Sequence, residues 1–370
     1  GSSLMQNIAH RPFGEPESWN WGNGQPHNRS FDLDGRLTQH PLGADTQTLT
    51  YDAASRIVGT LHTNPINNRN YAYDALDRLI NQSDNTSYRV WNYDANGNRI
   101  SEQSGAAVYP YTIDANSNRL LAVAGPVAKT YTYDAAGNVI HDGQIQFTWN
   151  AASRLKKIIN GNKIRKYTYN GFGERVRRDG KEKRRFTFFY DPAGRLISQF
   201  SANNIAKENW KLQQETVWFN DIPVAVIKQA SPADPVQVYM IHADHLNTPR
   251  AITDSTGAPV WLWRNQSAFG DNPPDEDPDG DGIQFKYNLR FAGQYFDAET
   301  SLHYNYFRDY EPQSGRYLSS DPIGLAGGLN TYGYALQNPL SFNDPTGEYV
   351  PPLLLWAFGG ALTLWDMMAP

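Results

Sequence analysis

The sequence predicts an all-β protein: Tyr-Asp-repeat β-hairpins paired edge to edge into one long sheet. Three observations carry this prediction. A Tyr-Asp motif, Tyr-Asp-Ala-x-Gly/Ser-Asn/Arg-x-apolar, recurs about every twenty residues, the mark of a body assembled from small identical units. The chain holds 30 Gly and 23 Pro, which suits many turns rather than many helices. Only 39% of its 370 residues are apolar, yet 13% are Phe, Trp or Tyr, so cross-strand aromatic pairs carry much of the burial.

Residues 1–9 read as a leader, with GSSL before Met5 as a cloning remnant; neither a basic start nor an apolar run follows, so no cleavable signal peptide is expected there. A repeat-built shell is expected over residues 10–230. Copies of the motif begin at Phe31, Tyr51, Tyr73, Tyr93, Ile113 and Tyr133, and more diverged ones at Trp149, Tyr169 and Tyr190. Most successive copies are 20 residues apart, with gaps of 16, 21 and 22 as exceptions.

One copy shows the physics. In residues 129–147, Thr130 to Tyr133 are β-formers, and alternation places Tyr131 and Tyr133 on one face. Asp134 caps the following turn with its side chain, and Gly137 and Asn138 tolerate the positive φ of a reversal. Val139-Ile140 then starts the return strand. A lone hairpin is marginal in water, so neighbours must pair edge to edge. The resulting strip leaves two edges that must curl, close or be capped.

The repeat copies resemble those of the Rhs/YD-repeat family, and the likeness extends past them. RPFGEPESWNWGNGQ (11–25) is similar to that family's opening segment. HADHLNTPR (242–250), FGDNPPDEDPDGDG (269–282), the run 290–325 and NTYGYALQNPLSFNDPTG (330–347) resemble its later parts; the last stretches are similar to the Rhs-associated core domain, which gives a second domain over 231–347. The resemblance implies that the long, curled sheet spirals into a full or partial hollow shell, which encloses a C-terminal toxin and is carried by a secretion machine or toxin complex in bacterial competition. It also implies a core domain that cuts its own chain after its terminal motif.

The residues for such a cut are two DPxG motifs, Asp321-Pro-Ile-Gly324 and Asp344-Pro-Thr-Gly347, with Arg308 before them. Two adjacent carboxyls cannot both ionise cheaply, so one keeps a proton while the other stays basic, as activation of a water against a peptide bond requires. Arg308 is suited either to lower the pKa of one carboxylate or to steady the oxyanion. The family likeness gives Asp321, Asp344 and Arg308 the catalytic roles and puts the cut beside Gly347, at Gly347–Glu348. Cleaving relatives carry Leu where Glu348 stands, and a charge there would slow or abolish the cut. The competing reading is purely local, because DPxG is also a type I turn.

Other segments carry weaker signals. Asp277, Asp279 and Asp281 have the alternate spacing of a calcium loop, but the remainder of such a loop is missing, and a solvated acidic loop is the preferred reading. No cofactor is expected. His242, Asp244 and His245 are a weak metal pattern on a strand-and-turn segment. Residues 154–185 hold 13 Lys or Arg against 3 acids, which reads as a solvated hairpin face or a dock for something acidic in the same assembly; with a net charge of −5, nucleic acid is not expected. Residues 348–370 form an apolar tail whose run from Leu353 to Trp365 is shorter than a bilayer span. The tail is read as the start of a variable C-terminal region or a plug inside the shell, and membrane attachment is not expected.

Two functions follow. The first is a toxin-encapsulating shell with an intramolecular aspartyl autoprotease that acts on its own chain. Its partners would be its own C-terminal segment or toxin cargo, secretion-system or immunity proteins and, in an oligomer, copies of itself. It would be cytoplasmic before export by a route that reads no signal peptide. The second is a non-catalytic scaffold that binds glycan or protein through exposed aromatic faces.

Overall fold

The computed structural model describes residues 3–12, 14–180, 185–202, 210–229, 233–264 and 266–348. Among these the regular structure is β apart from short 3-10 turns, and the expected shell architecture is present. Strands from Ser30–Phe31 to Lys129–Thr130 form an 11-stranded sheet in which every strand pairs with its sequence neighbours. A 13-stranded sheet continues in the same manner from Thr132–Tyr133 to Pro259–Leu262. The two sheets meet within one segment: Lys129 pairs back to Val123, whereas Thr132 pairs forward to His141. The second sheet crosses residue 230, the expected domain boundary, and ends at Leu262.

Each repeat turn is built alike. Asp52 Oδ1 accepts the backbone N–H of Ala54 at 2.9 Å and of Arg56 at 3.0 Å, while Arg56 Nε donates to Asp52 Oδ2 at 2.7 Å. Asp32 with Arg36, Asp74 with Arg78 and Asp191 with Arg195 repeat the set, and Asn98 and Asn138 replace the arginine beside Asp94 and Asp134. The expected Asp cap is therefore the common element. The reversal, however, rests on one left-handed residue, not two: Gly137 has φ 86°, and Ser55, Asp77 and Ser153 occupy the equivalent position at φ 63°, 61° and 53°.

A bulge follows each turn. Tyr73 faces Leu79, whereas Ala72 faces Asn81, so one extra residue lies on the return strand. This breaks strict alternation, and the first and fourth residues of the return strand point inward: Leu79 with Gln82, Arg99 with Glu102, Leu155 with Ile158, Arg175 with Arg178, and Leu196 with Gln199 are all buried.

Adjacent copies are stitched twice. The Tyr51 hydroxyl donates to the Leu37 carbonyl at 2.7 Å, and Tyr73, Tyr93, Tyr133 and Tyr169 do the same one copy further on. The turn arginine of one copy lies over the tyrosine ring of the next, with Arg36 on Tyr51, Arg56 on Tyr73 and Arg78 on Tyr93 at 4.9, 5.2 and 5.1 Å.

The strip curls until its ends meet. Leu37–Leu42 lies against Gln237–Ala243, and the backbone at Gly43 abuts Thr253. A three-stranded sheet of Met5–His10, Pro16–Trp21 and Pro26–Asn28 covers this seam, burying Trp19 and Trp21 against Ile222, Val224 and Met240. The leader expected over 1–9 is thus part of the fold from Met5 onward. Inside the curl sits the segment 263–348, with its own sheet of Tyr295–Asp297, Leu302–Asn305, Arg308–Glu311 and Arg316–Tyr317. Its rings, among them Phe291, Tyr310 and Tyr334, share one core with Phe188, Ile241 and Trp261 of the strip. A cavity of about 1370 Å³ remains between the early hairpins, the hairpins near Tyr190 and Trp218, and this inner segment. Of the tail 348–370, the residues past Glu348 lie outside the described residues.

Candidate self-cleavage site

Arg308 opens a strand whose partner ends at Asn305; the two residues face each other across the two-residue loop Tyr306-Phe307, where Tyr306 takes φ 49°. Its side chain is buried, and one nitrogen serves both predicted acids: Nη2 lies 2.8 Å from Asp321 Oδ2 and 3.2 Å from Asp344 Oδ2. Its Nη1 donates to the Thr331 carbonyl at 3.1 Å, and its Nε donates to the Gly347 carbonyl. The three residues singled out from the sequence come together with the carbonyl of the predicted bond.

Both DPxG motifs are also turns. Asp321 accepts from the Ile323 N–H at 3.0 Å, and the Gly324 N–H returns to the Asp321 carbonyl. Asp344 Oδ1 accepts the N–H of Gly347 at 2.8 Å and of Glu348 at 3.1 Å. The turn reading and the cluster reading are therefore one geometry, because each turn aims its carboxylate at Arg308. The other Asp-Pro pairs among the described residues serve elsewhere: Asp191 caps a repeat turn, the Asp234 carbonyl accepts from Gln229, and Asp277 belongs to the acidic loop.

The predicted bond is held on both sides. Its carbonyl oxygen receives Arg308 Nε, and its N–H, that of Glu348, points at Asp344. The Phe307 N–H fixes the preceding residue through the Thr346 carbonyl at 2.9 Å. Two glycines permit the approach, since a Cβ on Gly293 would collide with the Pro345 carbonyl and one on Gly327 with Asp321. Burial pushes the Asp321 carboxyl above its usual range, Arg308 pulls the other way, and Asp344 adds to the rise. Burial, and then the neighbouring Asp321, raises Glu348 as well. Asp344 accepts from two backbone N–H groups, from Arg308 and from the Tyr317 hydroxyl. Tyr317 and Asn305 escaped sequence reasoning: both lie in the run 290–325 but outside the two DPxG motifs, with Tyr317 four residues before Asp321.

The weaker candidates fare differently. Asp277, Asp279 and Asp281 do converge, with oxygens within 4.8 Å of one another on an exposed loop. His242 and His245 diverge: the first meets Thr253 Oγ1 at 3.0 Å and the second the Leu340 carbonyl at 2.7 Å. Asp244 between them is the cap of one further repeat turn, bonded to the Leu246 and Thr248 N–H groups and to Arg250, and Asp254 caps another. The basic run docks acids of the inner segment, as one of its readings held. Arg175 and Arg178 both bind Asp297, Arg178 also reaches Glu299 at 3.3 Å, and Arg154 donates to the Tyr306 carbonyl. Its residues 181–184 lie outside the described residues.

Comparison with known proteins agrees with this architecture. The chain is 40% identical to the toxin protein Tse5 of Pseudomonas aeruginosa over 127 residues, which is 33% of this chain and 9% of that protein. It is 28% identical to the double-stranded DNA deaminase toxin A of Burkholderia cenocepacia over 55% of this chain and 19% of that protein. The probable deoxyribonuclease RhsA of Dickeya dadantii matches at 29% over 59% of this chain and 14% of its own length. The chain thus spans less than a fifth of each of these three relatives. Among solved structures, the Tc holotoxin pore of Photorhabdus luminescens superposes with a TM-score of 0.73 at 18% identity, over 95% of this chain and 19% of that one. A TcdB2–TccC3 complex without its hypervariable C-terminal region gives 0.75 at 18% identity, over 93% and 19%. The sequence profile of the Teneurin YD-shell matches residues 46–340, and the chain belongs to that family.

Proposed function

We propose that this chain is wall and lid of a toxin-carrying shell, and that its lid cuts its own backbone beside Gly347. The observation that carries the cut is the single Arg308 side chain that binds Asp321, Asp344 and the Gly347 carbonyl together. Container function is supported by the curled strip with its inward aromatics and by relatives named as toxins. In this reading, the residues after Glu348 are the head of the cargo or of a variable region. Export by a route without a cleavable signal, bacterial competition and contact with secretion-system or immunity proteins belong to the same reading.

The chemistry follows from the charges. Water attacks the Gly347 carbonyl carbon, and Asp344 takes its proton. The negative charge that gathers on the carbonyl oxygen is met by Arg308 Nε, a donor already in place. Asp321, whose proton affinity burial raises, is assigned as the acid that supplies a proton to the departing Glu348 nitrogen. The products are a Gly347 carboxyl and a free amine on Glu348, with both protons accounted for.

Glu348 sets the rate. Its carboxyl shares the buried space with Asp321, and a like charge there opposes ionisation of both. Replacing Glu348 with Leu is expected to speed the cut. Intact mass of freshly purified protein tests the proposal: wild type yields two fragments, and Asp344→Asn one species at 41.7 kDa. A single uncut species in wild type and in Glu348→Leu would sink the self-cleavage reading and leave the container reading standing. The scaffold alternative rests on the exposed rings of Tyr88, Phe172, Phe189 and Trp210, while the rings of Tyr71, Trp91, Tyr111, Tyr131 and Tyr167 are buried and count against it.

A further inference from the structure

We infer that Tyr317, backed by Asn305, is a positioning residue of the cleavage site that decides which of the two carboxyls carries the charge. The inference rests on the self-cleavage reading and deepens it. Asn305 Nδ2 donates to the Tyr317 hydroxyl oxygen at 2.6 Å. With that oxygen occupied as an acceptor, the phenol proton is directed elsewhere, and Asp344 Oδ2 receives it at 2.8 Å. The same Asn305 nitrogen lies 2.8 Å from the Asp344 carbonyl, so side chain and backbone of Asp344 are anchored by one pair. Burial, and then the Asp344 charge, keep the phenol protonated far above its usual range, so it remains a donor.

Tyr317 acts on Arg308 as well. The guanidinium carbon stands 3.7 Å from the Tyr317 ring centroid, a stacked contact that fixes the plane of the fork. In that plane Nε faces the Gly347 carbonyl while Nη2 spans the two acids. The phenol and Arg308 therefore both donate to Asp344 Oδ2, whereas the described side-chain donor to Asp321 is Arg308. That asymmetry gives Asp344 a side-chain donor beyond the shared Arg308, and it is on this difference that the assignment rests. Tyr317 contacts Asp344 and Arg308 but not the Gly347 carbonyl among the described hydrogen bonds, so it works through them.

The test follows the cut in time. Newly synthesised chain is collected directly into denaturant, before it folds and cuts, then refolded into buffers from pH 5 to 9 and sampled by intact mass. Tyr317→Phe keeps the ring and the stack but removes the donor. It is expected to slow the cut roughly 10- to 100-fold at neutral pH, the worth of a hydrogen bond to a charged group, and to move the acid limb of the pH–rate profile upward as Asp344 becomes easier to protonate. Tyr317→Leu also loses the stack and is expected to be slower still. A merely structural role would lower the unfolding midpoint and leave the shape of the profile unchanged. Equal rates and an unmoved acid limb in Tyr317→Phe, with wild type cut, would overturn this inference alone. No cut in wild type or in Glu348→Leu at any pH would overturn the self-cleavage reading and this inference with it. Should Tyr317→Phe fail to refold, Asn305→Ser carries the test, since it frees the phenol oxygen: a smaller shift of the same limb supports the assignment, and none refutes it.

Discussion

The strip and the inner segment use the same two residue types for opposite ends. In the strip, Asp52 and Arg56 meet at 2.7 Å on an exposed turn, and the pairing recurs copy after copy at Asp32, Asp74 and Asp191. In the inner segment, Asp297, Asp309, Asp321 and Asp344 are buried beside arginines that come partly from the strip and partly from the segment itself. An exposed pair in water contributes little beyond the turn it caps. A buried one is costly to break, because the surviving partner keeps its desolvation penalty. The difference explains why a repeating strip tolerates drift in its turns, where Asn98 and Asn138 stand in for arginine, while the docked segment depends on single residues.

The largest effect is expected at the dock. Asp297→Asn leaves Arg175 and Arg178 without their shared carboxylate and is expected to cost about 3–5 kcal/mol, read from denaturant midpoints at constant slope. A loss no larger than that of an exposed turn mutant would erase the contrast drawn above.

Next comes a pH effect. Burial, against the pull of Arg175, raises the Asp309 carboxyl to about 7, and one of its oxygens is buried without a hydrogen-bond partner. The folded state thus keeps a proton that the unfolded chain releases near 4. This group favours folding fully below about pH 4, and the contribution is lost as pH rises through about 7. Asp309→Asn is expected to match wild type near pH 4 and to exceed it at pH 8 by about 1–3 kcal/mol. A variant less stable than wild type at pH 8 would show that the buried charge is compensated.

The smallest is on the strip. Asp52→Ala removes two backbone caps from one turn and is expected to cost about 1 kcal/mol, with thermal melting as the readout. A cost comparable to Asp297→Asn would mean that turns and dock are energetically alike.

How far the sequence reached follows the same division. The hairpins were legible because spacing, turn residues and β-formers all agree within twenty residues. Two further copies of the repeat turn, at Asp244 and Asp254, went unrecognised as copies, although the first was read as strand and turn, because Ala243 and Thr253 stand where the motif has tyrosine; the Asp with Asn247 or Gly257 three residues later was the remaining signal. Alternation failed at the return strands because the bulge inserts a residue, which is why Arg175 and Arg178, three apart, both face inward. The meeting of Arg308, Asp321 and Asp344, whose role in cleavage is the proposal, was legible through family resemblance and carboxylate chemistry. Tyr317 and Asn305 were not, since their meeting with Asp344 depends on the tight turn at Tyr306-Phe307 and on a chain returning 27 residues after Tyr317. No local pattern encodes such a return.

The contrast between capping aspartates and lid aspartates is tested most directly by one series of intact masses on refolded full-length chain: wild type, Asp52→Asn, Asp254→Asn, Asp321→Asn and Asp344→Asn. The account predicts fragments ending at or beside Gly347 in wild type and in both turn variants, and uncut chain at 41.7 kDa in both lid variants. Uncut chain throughout, or cutting that persists in Asp344→Asn, would contradict it.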